Sequence, residues 1–485
     1  MIEDHGEPRP GPLPPSAEER RANGAAKVRP IRPEINPNEI VFKRGDHVEI
    51  ADRTLEKLGP HPLTYDVGDI WRYAPPLGIW ERIEGHEVRT VVTSFAGAPC
   101  VSEKEPSLRI GYPTAKGAEK IIHDRLMSVP GRIAFGHAPP GMAFSNGFVT
   151  VSGGKVSTLP HSSMHLARTR YDFAYAAGAT HPRLDKFLGE LFADVKDELE
   201  RTQRIALIQE FFGICLIGEA TRYQRYLVMF ARGGNGKSEL LRVARAMFPA
   251  GTVTSLEPQL WRDQRAAAAL EGVRANFVDE LPDDEIMGGA NVKRIITGEP
   301  LTARRVYEDS ITFTPRAGHI FATNVEIQST DYSDGFWERP LVLVLSRKFR
   351  QDPTRVLEAS KGIIEAELPA IVAWAIEGAA RAQRQGGYTE PGSSRATLLE
   401  WRDDNDQVRG FALDRPITGK WSAHTLYEEY KEWAKKNGCA TMSSAKFGRR
   451  IVACGLAKRL RDASGRHYLP PGDEPVEPWT GAAQT

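Results

Sequence analysis

Residues 226–248 read YLVMFARGGNGKSELLRVARAMF. The apolar run from Tyr226 to Phe230 predicts a strand, and Leu240, Leu241, Val243, Ala244 and Met247 recur at helical spacing after it. Between them stands Ala231-Arg232-Gly233-Gly234-Asn235-Gly236-Lys237-Ser238. A strand, a glycine-rich turn closing on Lys-Ser, and a helix form a cradle for nucleotide phosphates. Glycines let backbone amides curl around the phosphates, and the helix N-terminus adds partial positive charge. On this reading residues Arg232, Gly233, Gly234, Asn235, Gly236, Lys237 and Ser238 bind ATP. Lys237 reaches the β- and γ-phosphates and the Ser238 hydroxyl ligates Mg²⁺. Ala231 stands where a glycine usually opens the loop, a mild change if its φ is negative and an awkward one if positive. The alternative is an ordinary glycine-rich turn, and the flanking strand and helix argue against it.

Downstream, strand, loop and helix alternate from about Gln224 to Phe349, which predicts a mainly parallel sheet with helices around it. Val273-Arg274-Ala275-Asn276-Phe277-Val278 runs into Asp279-Glu280. A strand ending in two carboxylates is the second half of a nucleotide-hydrolysing site. Asp279 is assigned to the metal and Glu280 to the attacking water, with a solvated strand end as the bland alternative. The nearby Asp283-Asp284-Glu285 reads as an exposed loop. HIFATN, residues 319–324, is another apolar strand, and Asn324 can hydrogen-bond the γ-phosphate or the water. DGFWERPLVLVL, residues 334–345, offers Arg339 just before a buried strand. It is either a finger reaching a neighbouring subunit's nucleotide or a residue capping a strand start.

The chain has 485 residues, 41% hydrophobic and 26% charged, enough for several domains with real cores. It offers no long apolar run for a membrane span, and its first residues lack a secretory h-region, so a cytoplasmic location is expected. Cys100, Cys215, Cys439 and Cys454 form no CxxC pair, which argues against structural zinc or a disulfide framework. Seven regions are expected. They are a disordered tail over 1–40, a mixed α+β domain over 41–180, and a helical oligomerisation or collar region over 181–222. The ATPase core follows over 223–350, then a helical extension and linker over 351–395, a basic module over 396–470 and a disordered tail over 471–485. SNGFVTVSGGKVSTL, residues 145–159, reads as a hairpin with Val149 and Val151 on one face.

Taken in order, ARGGNGKSELL, EGVRANFVDE, NVKRIITGEPLTARRVYEDSITFTP, HIFATN and DGFWERP resemble superfamily 3 helicases, closest to the phage, plasmid and poxvirus primase-helicase family. GDIWRYAPPLGIWERI, LPHSSMHLARTRYDFAY and IQEFFGICLIGEA resemble that family's region ahead of the motor. TLYEEYKEWAKKNG with SSAKFGRRIVACGLAKRLRDASGRHYL resembles its winged-helix ending. The resemblance covers most of residues 45–470. It implies a multidomain α/β protein with an AAA+-like P-loop core and a winged-helix-like module. It further implies a hexameric ring that translocates on single-stranded DNA and helps to replicate a mobile element. Lys237, Ser238, Asp279, Glu280, Asn324 and Arg339 fall on the family's functional positions. Ala231 departs from the pattern, as does Glu338, where a second arginine often precedes the finger. Only about 40 residues precede the matched region, so no primase domain is expected and a separate primase is a candidate partner.

Net charge is +1, so nucleic-acid contacts must come from local patches or a ring channel. Residues 301–315 read as a hairpin, and in the related helicases such a hairpin grips the strand in the channel. Lys293, Arg304 and Arg305 are candidate phosphate contacts and Tyr307 a candidate base-stacking residue, although the two arginines can instead pair with nearby acids. Between Trp421 and Leu469 ten basic residues face four acidic ones. Lys435, Lys436, Arg449 and Arg450 are the candidate contacts to duplex DNA, against the alternative of a solvated basic face. Two functions follow: an ATP-driven replicative helicase, or a replication initiator that uses ATP as an assembly switch and unwinds little. A small-molecule P-loop kinase needs neither the basic module nor Arg339.

Overall fold

The computed structural model describes residues 41–101, 107–130, 132–282, 286–305, 310–329, 331, 333–349 and 358–471. Both expected tails, the Asp283-Asp284-Glu285 run and the hairpin tip with Tyr307 lie outside the described residues. The chain is a mixed α/β protein that divides into two compact units, residues 41–60 with 85–125 and residues 61–84 with 126–471.

In the first unit, α1 (His47–Lys57), α2 (Gly85–Thr93) and α3 (Tyr112–Met127) enclose Phe42, Ile50, Val92, Phe95 and Leu108. Asp46 caps α1 by accepting from the Glu49 N–H at 2.8 Å. The Glu49 carboxylate in turn accepts from the N–H groups of Lys43, Arg44 and Gly45, which fixes the chain's entry into the helix.

The second unit opens with an antiparallel meander, β1 (Leu63–Asp66), β2 (Asp69–Ala74) and β3 (Ile79–Ile83). Its Trp71, Tyr73 and Trp80 pack on Phe135, so the mixed domain expected over 41–180 is split between the two units. A second antiparallel sheet holds β4 (Met142–Phe144), β5 (Gly147–Ser152) and β6 (Lys155–Leu159). The turn between the last two is Gly153-Gly154, both at positive φ, and Val149 and Val151 are buried on one face of β5. Helices α4 (Pro182–Leu191), α5 (Glu198–Ile217) and α6 (Ala220–Tyr223) follow.

The nucleotide-fold segment supplies β7 (Tyr226–Phe230), α7 (Lys237–Ala246), β8 (Val253–Thr254), α8 (Gln264–Ala267), β9 (Ala275–Val278), β10 (Ile286–Met287), α9 (Ala290–Ile296), β11 (Leu301–Arg304), β12 (Ser310–Phe313), β13 (Gly318–Thr323), β14 (Gln328–Ser329), α10 (Asp334–Trp337) and β15 (Pro340–Val344). Five of these strands form one all-parallel sheet in the order β15-β7-β13-β9-β8. Its central strands are buried and mostly apolar because both faces are covered, with Asn276, His319 and Thr323 as buried polar exceptions. Leu227, Met229, Ile320, Ala322, Leu341 and Leu343 face one core, with Phe212 and Ile376. Tyr226, Val228, Phe321 and Val342 face the other, with Trp261, Trp337 and Trp401.

The first of these cores is closed by α5 and by α11 (Ala359–Gln385). In the region expected over 181–222 as a helical oligomerisation or collar region, α5 covers a face of the sheet. Gly213 and Gly378 let α5 and α11 approach: a Cβ at Gly213 would fall 1.9 Å from the Ala375 carbonyl oxygen. The carboxylate of buried Glu210 on α5 accepts from Arg381 Nε on α11 at 2.6 Å and from the Thr389 N–H at 2.6 Å. Glu367 on α11 accepts from the N–H groups of Arg183 and Leu184, taking the place of a side-chain cap on α4.

After α12 (Gly392–Asn405), whose Leu398 and Trp401 join the second sheet core, a separate small core begins. It is built from α13 (Gln407–Asp414), β16 (Trp421–Ser422), α14 (Ala423–Lys436), α15 (Ser444–Ala453), β17 (Lys458–Asp462) and β18 (Gly465–Leu469). Phe411, Tyr430, Phe447, Ile451 and Tyr468 fill it, against an antiparallel sheet in the order β16-β18-β17. The basic module thus starts near Asp406 rather than at 396. Among the described residues no helix is long and apolar enough to cross a membrane.

Candidate nucleotide and nucleic-acid sites

The glycine-rich loop leaves the C-terminal end of β7, next to the centre of the sheet. Gly233, Gly234 and Gly236 hold φ of 89°, 67° and 77°, a region open to glycine at no steric cost. Ala231 is absent from the positive-φ residues, so its methyl is tolerated, and its N–H donates to the Thr323 carbonyl on β13 at 3.1 Å. The segment after β15 braces the loop from outside. The Phe349 N–H donates to the Gly234 carbonyl at 2.9 Å, and Asn235 Nδ2 donates to the Arg347 carbonyl at 2.7 Å. Asn235 is buried, and among the described residues its Oδ1 finds no partner.

Lys237 opens α7 directly behind the loop. Its Nζ donates to Asn324 Oδ1 at 2.9 Å and approaches the Thr323 carbonyl at 3.4 Å. Burial pushes the ammonium down from its ordinary range, and the Glu280 carboxylate opposes that shift. Lys237, Asn324 and Glu280 are therefore brought together at the C-terminal edge of the parallel sheet, with Ser238 exposed beside them. Asp279 turns elsewhere: Arg245 on α7 donates to it at 2.6 Å, and the same guanidinium lies 4.8 Å above the Phe277 ring. The carboxylate assigned to the metal is held by an arginine, and the one assigned to water faces the lysine.

One neighbouring group escaped the sequence reading. Glu326, two residues after Asn324, has its carboxyl pushed up by burial and by Asp404 and Glu400, with Arg232 of the loop opposing. The acidic clustering needs α12, seventy-odd residues away, so no local pattern announces it.

Arg339 lies at the other end of the sheet. It precedes Pro340, which pairs with Tyr226 at the start of β7, and its carbonyl accepts from the Tyr226 N–H at 3.1 Å. Among the described residues its buried Nε has no partner, and it lines a cavity of about 250 Å³ with Tyr226, Val292, Lys293 and Phe336. Five strand residues at about 3.3 Å each separate it from its own phosphate loop, farther than an arginine reaches.

The candidate nucleic-acid residues divide. Lys293 on α9 and Arg304 at the end of β11 are exposed. Arg305 is not free to grip a strand, because it donates to Asp69 Oδ2 at 2.7 Å and lies 3.6 Å from Glu271. Lys435 and Lys436 are exposed in the last turn of α14. Arg449 is exposed on α15, lining an open cleft with Asp331 and Ser333. Arg450 is a structural residue: its Nε and Nη2 lie 2.9 and 2.5 Å from Asp406 Oδ2, whose side chain is fully buried. That carboxylate also caps α13 by accepting from the Val408 N–H at 3.1 Å. In the β17–β18 hairpin Arg461 and Arg466 stand directly opposite each other.

A family of unknown function (DUF5906) matches residues 229–339, from within β7 to Arg339. The chain is 24% identical over 301 residues to a protein of Acanthamoeba polyphaga mimivirus named "Putative helicase L207/L206". The alignment covers 54% of this chain and 30% of that protein, so the chain spans about a third of the relative's length. Among solved structures, the A form apo structure of the NrS-1 C-terminal region superposes with a TM-score of 0.46 at 12% identity, over 88% of this chain and 99% of that one. An apo structure of the same region, residues 305–718, gives 0.46 at 11% identity over the same shares.

Proposed function

We propose that this chain is an ATP-dependent helicase of the superfamily 3 kind, working on DNA as a hexameric ring in the replication of a mobile element. The observation that carries the reading is the meeting of Lys237, Asn324 and Glu280 behind a loop of three left-handed glycines. The relative named as a helicase and the basic C-terminal module support it.

The residues suit ATP and Mg²⁺. The loop amides and Lys237 would take the phosphates, and the exposed Ser238 hydroxyl is placed to ligate the metal. Mg²⁺ keeps most of its shell as water and phosphate oxygen, so one or two protein ligands suffice, and when bound it neutralises charge on the transferring phosphoryl group. Glu280 is the carboxylate that orients and deprotonates the attacking water. Asn324 holds Lys237 before the nucleotide arrives and fixes the water or γ-phosphate afterwards. Asp279 positions Arg245 and α7, a role that replaces its assignment to the metal. Arg339 acts on the neighbouring subunit's nucleotide, since its own lies at the far end of the sheet.

The C-terminal module is proposed as a winged helix for duplex DNA. Lys435, Lys436 and Arg449 remain its contacts, joined by Arg461 and Arg466 on the hairpin wing, whose facing like charges invite a phosphate between them. A separate primase fits as partner. The deciding experiment is ATP hydrolysis by the purified chain, with and without single-stranded DNA, beside Lys237→Ala. The motor reading expects strand-stimulated turnover that the variant lacks. ATP binding without stimulated turnover would favour the assembly-switch initiator instead.

A further inference from the structure

At the N-terminal edge of the parallel sheet, away from the phosphate loop, lies a cavity of about 470 Å³. Arg132, Arg168, Arg274 and Arg316 line it, against the carboxylates of Asp66 and Glu271. The carboxylates are already engaged. Asp66 Oδ2 accepts from the Phe135 N–H at 2.8 Å, and Glu271 pairs with Arg168 at 2.6 Å and with Arg305 at 3.6 Å. Among the described residues Arg132, Arg274 and Arg316 form no ion pair. Arg316 spends its Nε and Nη1 on the carbonyls of Gly218 and Ala138. Among the described residues no partner reaches the buried Arg274 Nη1. Burial, with Arg316 and Arg168 as like-charged neighbours, pushes the Arg274 guanidinium down to about 9. A protein that only needed packing here would gain by replacing Arg274 with an apolar side chain, since crowded cations in a desolvated site cost stability. A ligand that brings negative charge would offset this crowding.

The shape of the wall says which anion. Trp71 and Phe135 line the cavity, but the Arg168 guanidinium lies 5.2 and 4.9 Å from their ring centroids, so neither ring offers that face to a base. Recognition is left to guanidinium groups, which match phosphate oxygens. Pro300, Thr312 and Thr314 also line the cavity; these residues flank the base of the β11–β12 hairpin. The cavity therefore opens at the foot of that hairpin. We propose that this arginine-lined cavity is a second phosphate site, which holds a backbone phosphate of a single nucleic-acid strand at the foot of the β11–β12 hairpin.

The inference goes beyond the ATPase reading and is tested apart from it, in the full chain carrying Lys237→Ala, where the phosphate loop is disabled. The affinity for a fluorescent oligothymidylate is measured over a salt series, alone and with Arg274→Met or Arg132→Gln added. Arg132 is exposed and, among the described residues, its side chain makes no hydrogen bond, so its variant folds whatever becomes of the other. Each addition is expected to weaken binding about tenfold and to lower the salt slope by about one. Arg274→Met without ligand is expected to unfold no earlier than its parent. Unchanged affinity and slope in both variants overturn the proposal. Protection of the parent from thermal unfolding by inorganic pyrophosphate, lost in Arg274→Met while oligothymidylate affinity stays intact, also overturns it and assigns the cavity to a free phosphate.

Discussion

Lys237 shows how much a single contact decides. Its ammonium sits half-buried and donates to Asn324 Oδ1 at 2.9 Å. A buried ammonium without acceptors is costly, so the Asn324 acceptor helps to hold the lysine in place, while Glu280 opposes the loss of its charge. Asn324→Ala is expected to lower ATP turnover about tenfold to a hundredfold with little change in folding, against complete loss in Lys237→Ala. Steady-state hydrolysis beside circular dichroism of both variants checks this, and turnover at the wild-type rate in Asn324→Ala would remove the residue from the site. His319 makes the opposite point. It stands on β13 with Asn276 Nδ2 3.2 Å from its Nδ1, and burial holds the imidazole down at about 3. Its unfolded value is near 6.5, so the folded state binds fewer protons than the unfolded one between those limits. The stability it contributes is complete above pH 6.5 and is lost as pH falls toward 3, with a slope approaching ~1.4 kcal/mol per pH unit. Chemical denaturation from pH 7 to 4 should show His319→Gln losing less stability than the wild type. Equal losses would mean the ring is protonated in the fold.

Elements differ in how far their own residues announce them. The apolar strand before the loop and the stripe Leu240, Leu241, Val243 and Ala244 after it were legible because burial on a fixed side imposes a period. The hairpin at Gly153-Gly154 was legible because its turn needs positive φ. The roles of α4 and α5 were not, since an apolar stripe says that a face is buried but not against what. Nor were the fates of Arg305 and Arg450: the sequence shows paired arginines, while their carboxylates, Asp69 and Asp406, come from remote elements. The α5–α11 pairing gives the element-scale test. Gly213→Ala must push a methyl to within 1.9 Å of the Ala375 carbonyl, a backbone atom that cannot swing aside. We expect a loss of about 1–3 kcal/mol or more in denaturant unfolding. Gly189→Ala on α4, where a Cβ meets nothing within 4 Å, is expected to gain up to about 1 kcal/mol from helix propensity. A neutral Gly213→Ala would mean that the two helices pack less closely than the structure shows.

At the scale of the whole molecule, the parallel sheet separates the two groups of residues proposed to act on ATP. Lys237, Asn324 and Glu280 stand at the carboxyl ends of β7, β13 and β9, while Arg339 stands at the amino end of β15 beside β7. Neighbouring strands run the same way, so no local rearrangement of a side chain closes that distance within one chain. On the proposed reading a lone subunit holds an incomplete site, which a second copy completes by turning its Arg339 end toward the first copy's loop. The buried, unpartnered Nε of Arg339 is consistent with a group waiting for an acceptor from outside the chain. From this follows a prediction that a single-chain role cannot mimic. Arg339→Ala and Lys237→Ala should each bind single-stranded DNA and each fail to hydrolyse ATP, by about 10³-fold or more for the arginine. Mixed and allowed to reassemble, they should recover part of the strand-stimulated turnover. The recovered activity belongs to interfaces where the loop of an Arg339→Ala subunit meets the intact arginine of a Lys237→Ala subunit. Absence of recovery, with light scattering showing that mixed assemblies have formed, would return Arg339 to the start of β15 as a strand cap and leave the trans-acting group to another arginine.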